Sequence, residues 1–124
     1  MLVIAQRSHR RVPVNIPCTI RVEDEELESS IGNISVGGAF IQTGIPLERE
    51  SVLDLQFILP EIDYPFHLQV VVRWASSFTR MTAQPGMGVE FLTGIESERE
   101  ILRNFVEKER QKNLKSMIGI KEEE

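Results

Sequence analysis

The sequence predicts an all-β domain, a six-stranded antiparallel barrel or closed sandwich, followed by one C-terminal α-helix. Apolar and polar residues alternate through most of the apolar runs between residues 14 and 92, which is the period of half-buried strands. Glycine, proline and polar segments separate these runs, and no helical pattern lies between them. After residue 96 the apolar residues recur at helical spacing instead.

The first predicted strand covers residues 14–22, where apolar and polar residues alternate without interruption. Pro13 and Pro17 lack a backbone N–H group, so we expect this strand to lie at an edge or to bend at its start. Five acidic residues follow between positions 23 and 28. Such a run of like charge predicts a solvated hairpin turn.

Five further strands follow this turn, each bounded by glycine, proline or polar residues. They are predicted over residues 27–35, 39–43, 51–59, 66–74 and 88–92. Gly37–Gly38 separates the first two of them. In the strand over residues 66–74, Trp74 has the same phase as Val70 and Val72, which favours packing in the core over stacking on a ligand.

A C-terminal helix is predicted to begin near Glu98, because Ser97 and Glu100 have the spacing of a capping box. Its apolar stripe, which we expect to pack on the barrel, consists of Ile101, Leu102, Phe105 and Val106. The chain thus divides into a basic flexible arm over residues 1–13, a barrel over 14–95, a helix over 96–118 and a disordered acidic tail over 119–124.

Length and composition fit one small domain in a reducing cytoplasm. The chain has 124 residues, enough for one core, and a single cysteine, Cys18, which cannot form an internal disulfide. No segment has the pattern of a signal peptide or of a membrane-spanning stretch, so we expect no membrane insertion. A net charge of −5 with one small basic segment predicts a poor binder of DNA or RNA.

Nothing in the sequence supports catalysis or a metal site. It contains no nucleophile-elbow or phosphate-loop motif, and Cys18 lies in a predicted strand. The two histidines, His9 and His67, are far apart, and no cysteine cluster accompanies them. We therefore expect neither an enzyme nor a resident metal or cofactor.

Two short motifs carry candidate ligand chemistry. Arg7 and Arg11 stand four residues apart in an acid-free opening, and guanidinium groups can hold phosphate oxygens or the guanine O6/N7 edge. Asn33, Ser35 and Gly38 come later, and a short amide and a hydroxyl beside glycine can meet a base while the backbone comes close. Together the motifs supply what a guanine nucleotide with phosphates would need.

The two motifs resemble the RxxxR and D/NxSxxG signature of the PilZ family, the bacterial receptors for cyclic di-GMP. In this chain they read Arg7-x-x-x-Arg11 and Asn33-x-Ser35-x-x-Gly38. Residues 70–74 and 86–91 look like the closing strands of a PilZ barrel, so the resemblance covers roughly residues 6–106. It implies a six-stranded antiparallel PilZ-like β-barrel with a C-terminal α-helix.

The resemblance implies that cyclic di-GMP is the ligand and that its binding draws the basic arm onto the barrel. Arg7 and Arg11 would engage the phosphates and guanine. Arg10 and Arg73 are additional candidate contacts, since Arg73 has the opposite phase to the core residues of its strand.

The second motif would read the other edge of the ligand. Asn33 would accept from guanine N1 and N2, Ser35 would donate to a phosphate or base oxygen, and Gly38 would serve the backbone geometry. From the residue types alone, Asn33 and Ser35 are also typical of local turn bonding.

We expect a cytoplasmic cyclic di-GMP receptor that signals to an effector protein, since the chain shows no effector domain of its own. The alternative is a PilZ-type interaction adaptor that does not bind the nucleotide. The intact arginine pair favours the receptor. The identity of the effector protein and homodimer formation stay open.

Overall fold

A computed structural model describes residues 11–76, 85–93 and 95–117 of the chain. In this part the chain forms six strands and then one helix: β1 (Val12–Val22), β2 (Glu25–Ile34), β3 (Gly38–Gln42), β4 (Val52–Leu59), β5 (Tyr64–Ser76), β6 (Gly86–Thr93) and α1 (Arg99–Met117). The strands close into an antiparallel barrel in the order β1-β2-β3-β6-β5-β4. The predicted barrel with a C-terminal helix is confirmed, and the sandwich alternative is excluded.

The barrel consists of two three-stranded meanders, β1-β2-β3 and β4-β5-β6. Two seams between distant parts of the chain join them. β3 pairs with β6 along its whole length, from Gly38 opposite Glu90 to Gln42 opposite Gly86. β1 pairs with β4 only from Cys18 to Arg21.

The prolines of β1 explain why the seam between β1 and β4 is short. Pro13 and Pro17 both precede the residues that pair with β4, and the register with β2 is irregular between Pro13 and Ile16. A residue without an N–H group cannot complete a ladder on both sides, and the irregular register lies at the start of the strand, where we expected a bend. Glu23 and Asp24 form the turn into β2, and the acidic residues around it are exposed.

The inward faces of the strands fill the barrel with aliphatic side chains. The relative exposure of Ile20, Ile31, Leu55 and Val70 is 0%. Burial of each such side chain contributes about 1.5–3 kcal/mol to the stability of the fold. Cys18 belongs to the same core, as its place in the strand period predicts.

Two of the register irregularities, one in β2 and one in β5, interrupt the alternation and change which side chains face outward. In β2, Ile31 lies opposite Ile41 and Asn33 opposite Phe40, so Gly32 is the extra residue. In β5, Val72 lies opposite Val89 and Trp74 opposite Gly88, so one residue is again inserted. The prediction that Trp74 packs in the core is wrong: after the bulge its side chain faces outward and is 46% exposed.

The helix α1 packs on the barrel through the predicted stripe. Leu102, Phe105 and Val106 are buried, and Ile101 packs against the core. The hydroxyl of Tyr64 donates to the Glu98 carboxylate at 3.1 Å, which ties the start of the helix to β5. Among the residues that the structure describes, no helix is long and apolar enough to cross a membrane.

Candidate functional site

A cleft of about 530 Å³ lies beside the seam between β3 and β6. Its walls come from the residue before β1, the β2–β3 turn, the end of β5, the middle of β6 and the first residue of α1. Among the strands and the helix that the structure describes, all except β4 therefore contribute a residue to the cleft or lie next to one that does.

Arg11 and Asn33 bring the two sequence motifs into contact. Arg11 Nη1 donates to Asn33 Oδ1 at 2.8 Å, and Arg11 lines the cleft. Asn33 is partly exposed because of the bulge at Gly32. With strict alternation after the buried Ile31, its amide would point into the barrel, where an unpaired polar group is costly.

Ser35 organises the turn between β2 and β3. Its hydroxyl accepts from the N–H groups of Gly37 and Gly38, at 3.1 Å each, and donates to the Gly38 carbonyl at 3.3 Å. The Gly37 carbonyl accepts from the N–H group of Phe91 at 2.9 Å, which fixes the turn against β6. Ser35 is 3% exposed, so its local turn bonding accounts for its hydroxyl in this structure.

Gly38 is required by the close approach of two strands. It lies opposite Glu90 on β6, and a Cβ atom at position 38 would collide with the backbone carbonyl oxygen of Val89. A side chain there would force the seam apart, so the glycine serves backbone geometry, as expected from the motif.

Arg73 lines the cleft but already has two carboxylate partners. Its Nε donates to Glu90 at 2.7 Å, and its Nη1 lies 3.3 Å from a Glu50 oxygen. The hydrogen bond to Glu90, together with the charges of both carboxylates, raises the pKa of the Arg73 guanidinium. Because the groups are about half exposed, these ion pairs add little to stability, but they do neutralise the arginine.

Trp74 presents a flat aromatic face at the cleft. Its ring stacks on Phe40, with 5.5 Å between centroids and an interplanar angle of 18°. The indole lies over Gly88, where a Cβ atom would collide with it. The exposed position of Trp74 could not be predicted from the period of two. Its residue types give Trp74 the same phase as Val70 and Val72, and they do not reveal the inserted residue.

Arg99, the first residue of α1, also lines the cleft, although neither sequence motif includes it. A cation at this end of a helix opposes the helix dipole, so its position was an available signal. Arg7 and Arg10 lie outside the described residues. Within the described ranges, no group of three or more His, Cys, Asp or Glu residues could hold a metal ion.

The family model of the PilZ domain matches residues 5–108. The chain belongs to the PilZ domain family. No curated protein matches the sequence.

Solved PilZ structures share the fold. The Bacillus subtilis inhibitor of motility MotI/DgrA superposes with a TM-score of 0.75 at 23% identity, over 89% of this chain and 53% of that chain. The PilZ domain of Escherichia coli YcgR with cyclic di-GMP gives 0.73 at 13% identity, over 93% and 99%. The K. pneumonia MrkH complex with cyclic di-GMP gives 0.67 at 19% identity, over 94% and 55%. The chain thus spans about half the length of MotI and MrkH.

Proposed function

We propose that the protein is a cyclic di-GMP receptor that binds the nucleotide in the cleft. The observation that carries this proposal is the 2.8 Å contact between Arg11 and Asn33, which joins the two PilZ motifs beside the cleft. The YcgR and MrkH structures that contain cyclic di-GMP support the same ligand class.

The chemistry of the walls suits this ligand. The Arg11 guanidinium lines the cleft, and guanidinium N–H groups hold phosphate oxygens or the guanine O6/N7 edge. Trp74 offers a stacking face for a purine. Arg7 and Arg10 of the arm are proposed as further contacts, and ordering of the arm over the cleft would change the surface that other proteins meet.

The output that we propose is a change in the arm and the adjacent surface that an effector protein reads in the cytoplasm. Neither a catalytic step nor a resident metal or cofactor enters this proposal. Any homodimer would be a separate means of presenting the same surface.

Calorimetry with cyclic di-GMP, GTP and cyclic di-AMP tests the receptor proposal. We expect selective binding of cyclic di-GMP with micromolar or tighter affinity. Arg7→Ala and Arg11→Ala should each weaken it roughly tenfold or more, since each removes charge-assisted hydrogen bonds of about 1.5–3 kcal/mol. Arg21→Ala is the matched control, because Arg21 pairs with Glu26 at an exposed site away from the cleft lining.

One observation favours the alternative, an interaction adaptor that does not bind the nucleotide. Arg73 faces the cleft already neutralised by Glu50 and Glu90, so it adds no net positive charge for a phosphate. A folded protein that shows no heat and no thermal shift with cyclic di-GMP would support the adaptor and contradict the receptor.

A further inference from the structure

Among the described residues, three arginines line the cleft, and the structure distinguishes them by their partners. Arg11 donates to Asn33, and Arg73 is held between Glu90 and Glu50. Arg99 has no ion pair or side-chain hydrogen bond with any described residue. Unlike that of Arg73, its positive charge is therefore not balanced by a neighbouring carboxylate in the described part of the chain.

The acidic neighbours of Arg99 are engaged elsewhere. The Glu98 carboxylate accepts from the Tyr64 hydroxyl at 3.1 Å, and the Glu100 carboxylate accepts from Arg103 at 2.7 Å. Both flanking residues thus have the opposite charge to Arg99, yet each is directed to another partner. Neither of them therefore pairs with Arg99, which lines the cleft.

The position of Arg99 opposes the stability of the helix it begins. The first turn of a helix is the positive end of its dipole, where anions are favoured and cations are disfavoured. Leu102 and Phe105 are buried and hold this end of α1 against the barrel. A shift of the helix that carried Arg99 away from the cleft would expose them. An anion in the cleft would be attracted both by the guanidinium and by the helix dipole.

We propose that Arg99 binds a phosphate of the nucleotide, as a cleft contact outside the two PilZ motifs. The inference rests on the proposed function and deepens it. Arg99 supplies the planar donor pair that matches two phosphate oxygens, on a helix that the core already fixes. Its contact also links the nucleotide directly to α1.

The test is calorimetry with cyclic di-GMP on the wild-type protein, Arg99→Gln and Arg103→Gln. Arg103 is the matched control, since it lies one turn further on the same helix and is not part of the cleft lining. We expect Arg99→Gln to weaken binding by roughly tenfold to a hundredfold. Arg103→Gln should stay within about twofold of wild type, and the salt dependence of binding should be smaller for Arg99→Gln.

Thermal unfolding without nucleotide separates binding from folding. Arg99→Gln removes an adverse charge from the helix start, so its Tm should equal or exceed that of wild type. Wild-type affinity in Arg99→Gln, or an equal loss in both variants, would overturn this inference while the receptor proposal stands. Failure of the wild-type protein to bind cyclic di-GMP would instead overturn the receptor proposal and the Arg99 contact with it.

Discussion

The side-chain oxygen of Asn33 has two lone pairs, and Arg11 Nη1 occupies one of them at 2.8 Å. The second lone pair can accept from a guanine N–H group. At the residue scale, Asn33 thus holds the arginine, and we propose that it also offers an acceptor to the base.

Asn33→Leu should nearly abolish binding of cyclic di-GMP, because it leaves both the guanine donors and Arg11 without this acceptor. Asn33→Asp keeps the acceptor and adds charge, so its affinity should hold or rise modestly. Calorimetry on both variants, with folding checked by circular dichroism, measures the effect. A folded Asn33→Leu protein that binds as tightly as wild type would show that Asn33 is only a structural residue.

The site residues differ in how visible they are in the sequence. Arg11 and Asn33 could both be named in advance because two spaced motifs resemble a family signature, but the direct contact between them was not predicted. Trp74 could not, because the inserted residue before it reverses the phase that the period predicts. Arg99 could be noticed as a cation in the first turn of a predicted helix, but it could not be placed at the cleft, since only the packing of α1 brings the start of the helix there.

At the scale of elements, two glycines of the β3–β6 seam, Gly38 and Gly88, are each closely approached by other atoms, but by atoms of different kinds. At Gly38 a Cβ atom meets the backbone of Val89, whereas at Gly88 it meets the indole of Trp74. A backbone carbonyl in a ladder cannot move without opening the seam, but an indole can rotate away.

Gly38→Ala should therefore destabilise the barrel by about 1–3 kcal/mol or more, as overpacking does, while Gly88→Ala should cost less. Gly88→Ala should instead displace Trp74 from Phe40 and change the fluorescence of this single tryptophan. Chemical denaturation and emission spectra of both variants measure the two effects. Equal destabilisation with unchanged emission would contradict the distinction.

The helix α1 depends on its apolar stripe. Phe105 is 7% exposed, so Phe105→Ala should lower the free energy of unfolding by about 3–5 kcal/mol. Leu114→Ala is the control on the same helix, because Leu114 is 44% exposed and its truncation should cost far less. Urea denaturation compares the two. Similar midpoints for both variants would mean that the stripe adds little to the fold.

Element boundaries were predictable where the period of two is unbroken. β4 begins at Val52 and ends at Leu59, close to the predicted residues 51–59. β1 begins at Val12, two residues before its predicted start, because pairing with β2 extends through Pro13. The helix begins at Arg99, one residue after the predicted Glu98. The side chain of Glu100, which the predicted capping box included, pairs with Arg103.

At the scale of the whole molecule, burial of the Cys18 thiol in the barrel makes the stability of the fold depend on pH. Burial raises the pKa of Cys18 from its ordinary value of 9.0 to about 12, and the charge of Glu28 adds to the effect. Between these values the unfolded chain has lost the thiol proton while the folded chain retains it. The unfolded state then binds fewer protons, so the free energy of unfolding falls as pH rises.

The free energy of unfolding should thus fall more steeply above pH 9 for wild type than for Cys18→Ala. The difference in slope should approach about 1.4 kcal/mol per pH unit where the two states differ by one proton. Urea denaturation of both proteins from pH 8 to pH 10.5 gives the two slopes. Parallel slopes would show that Cys18 ionises in the folded barrel as readily as in the unfolded chain.

The two-meander topology has a consequence for how the cleft comes into being. Arg11 and Ser35 belong to the first half of the chain, whereas Trp74 and Glu90 belong to the second, and they meet only across the β3–β6 seam. A fragment that ends after β3 would carry both motifs and yet only one wall. A molecule bound in the cleft contacts both halves of the chain and binds only when they are joined. Its binding therefore stabilises the closed barrel against separation of the two halves.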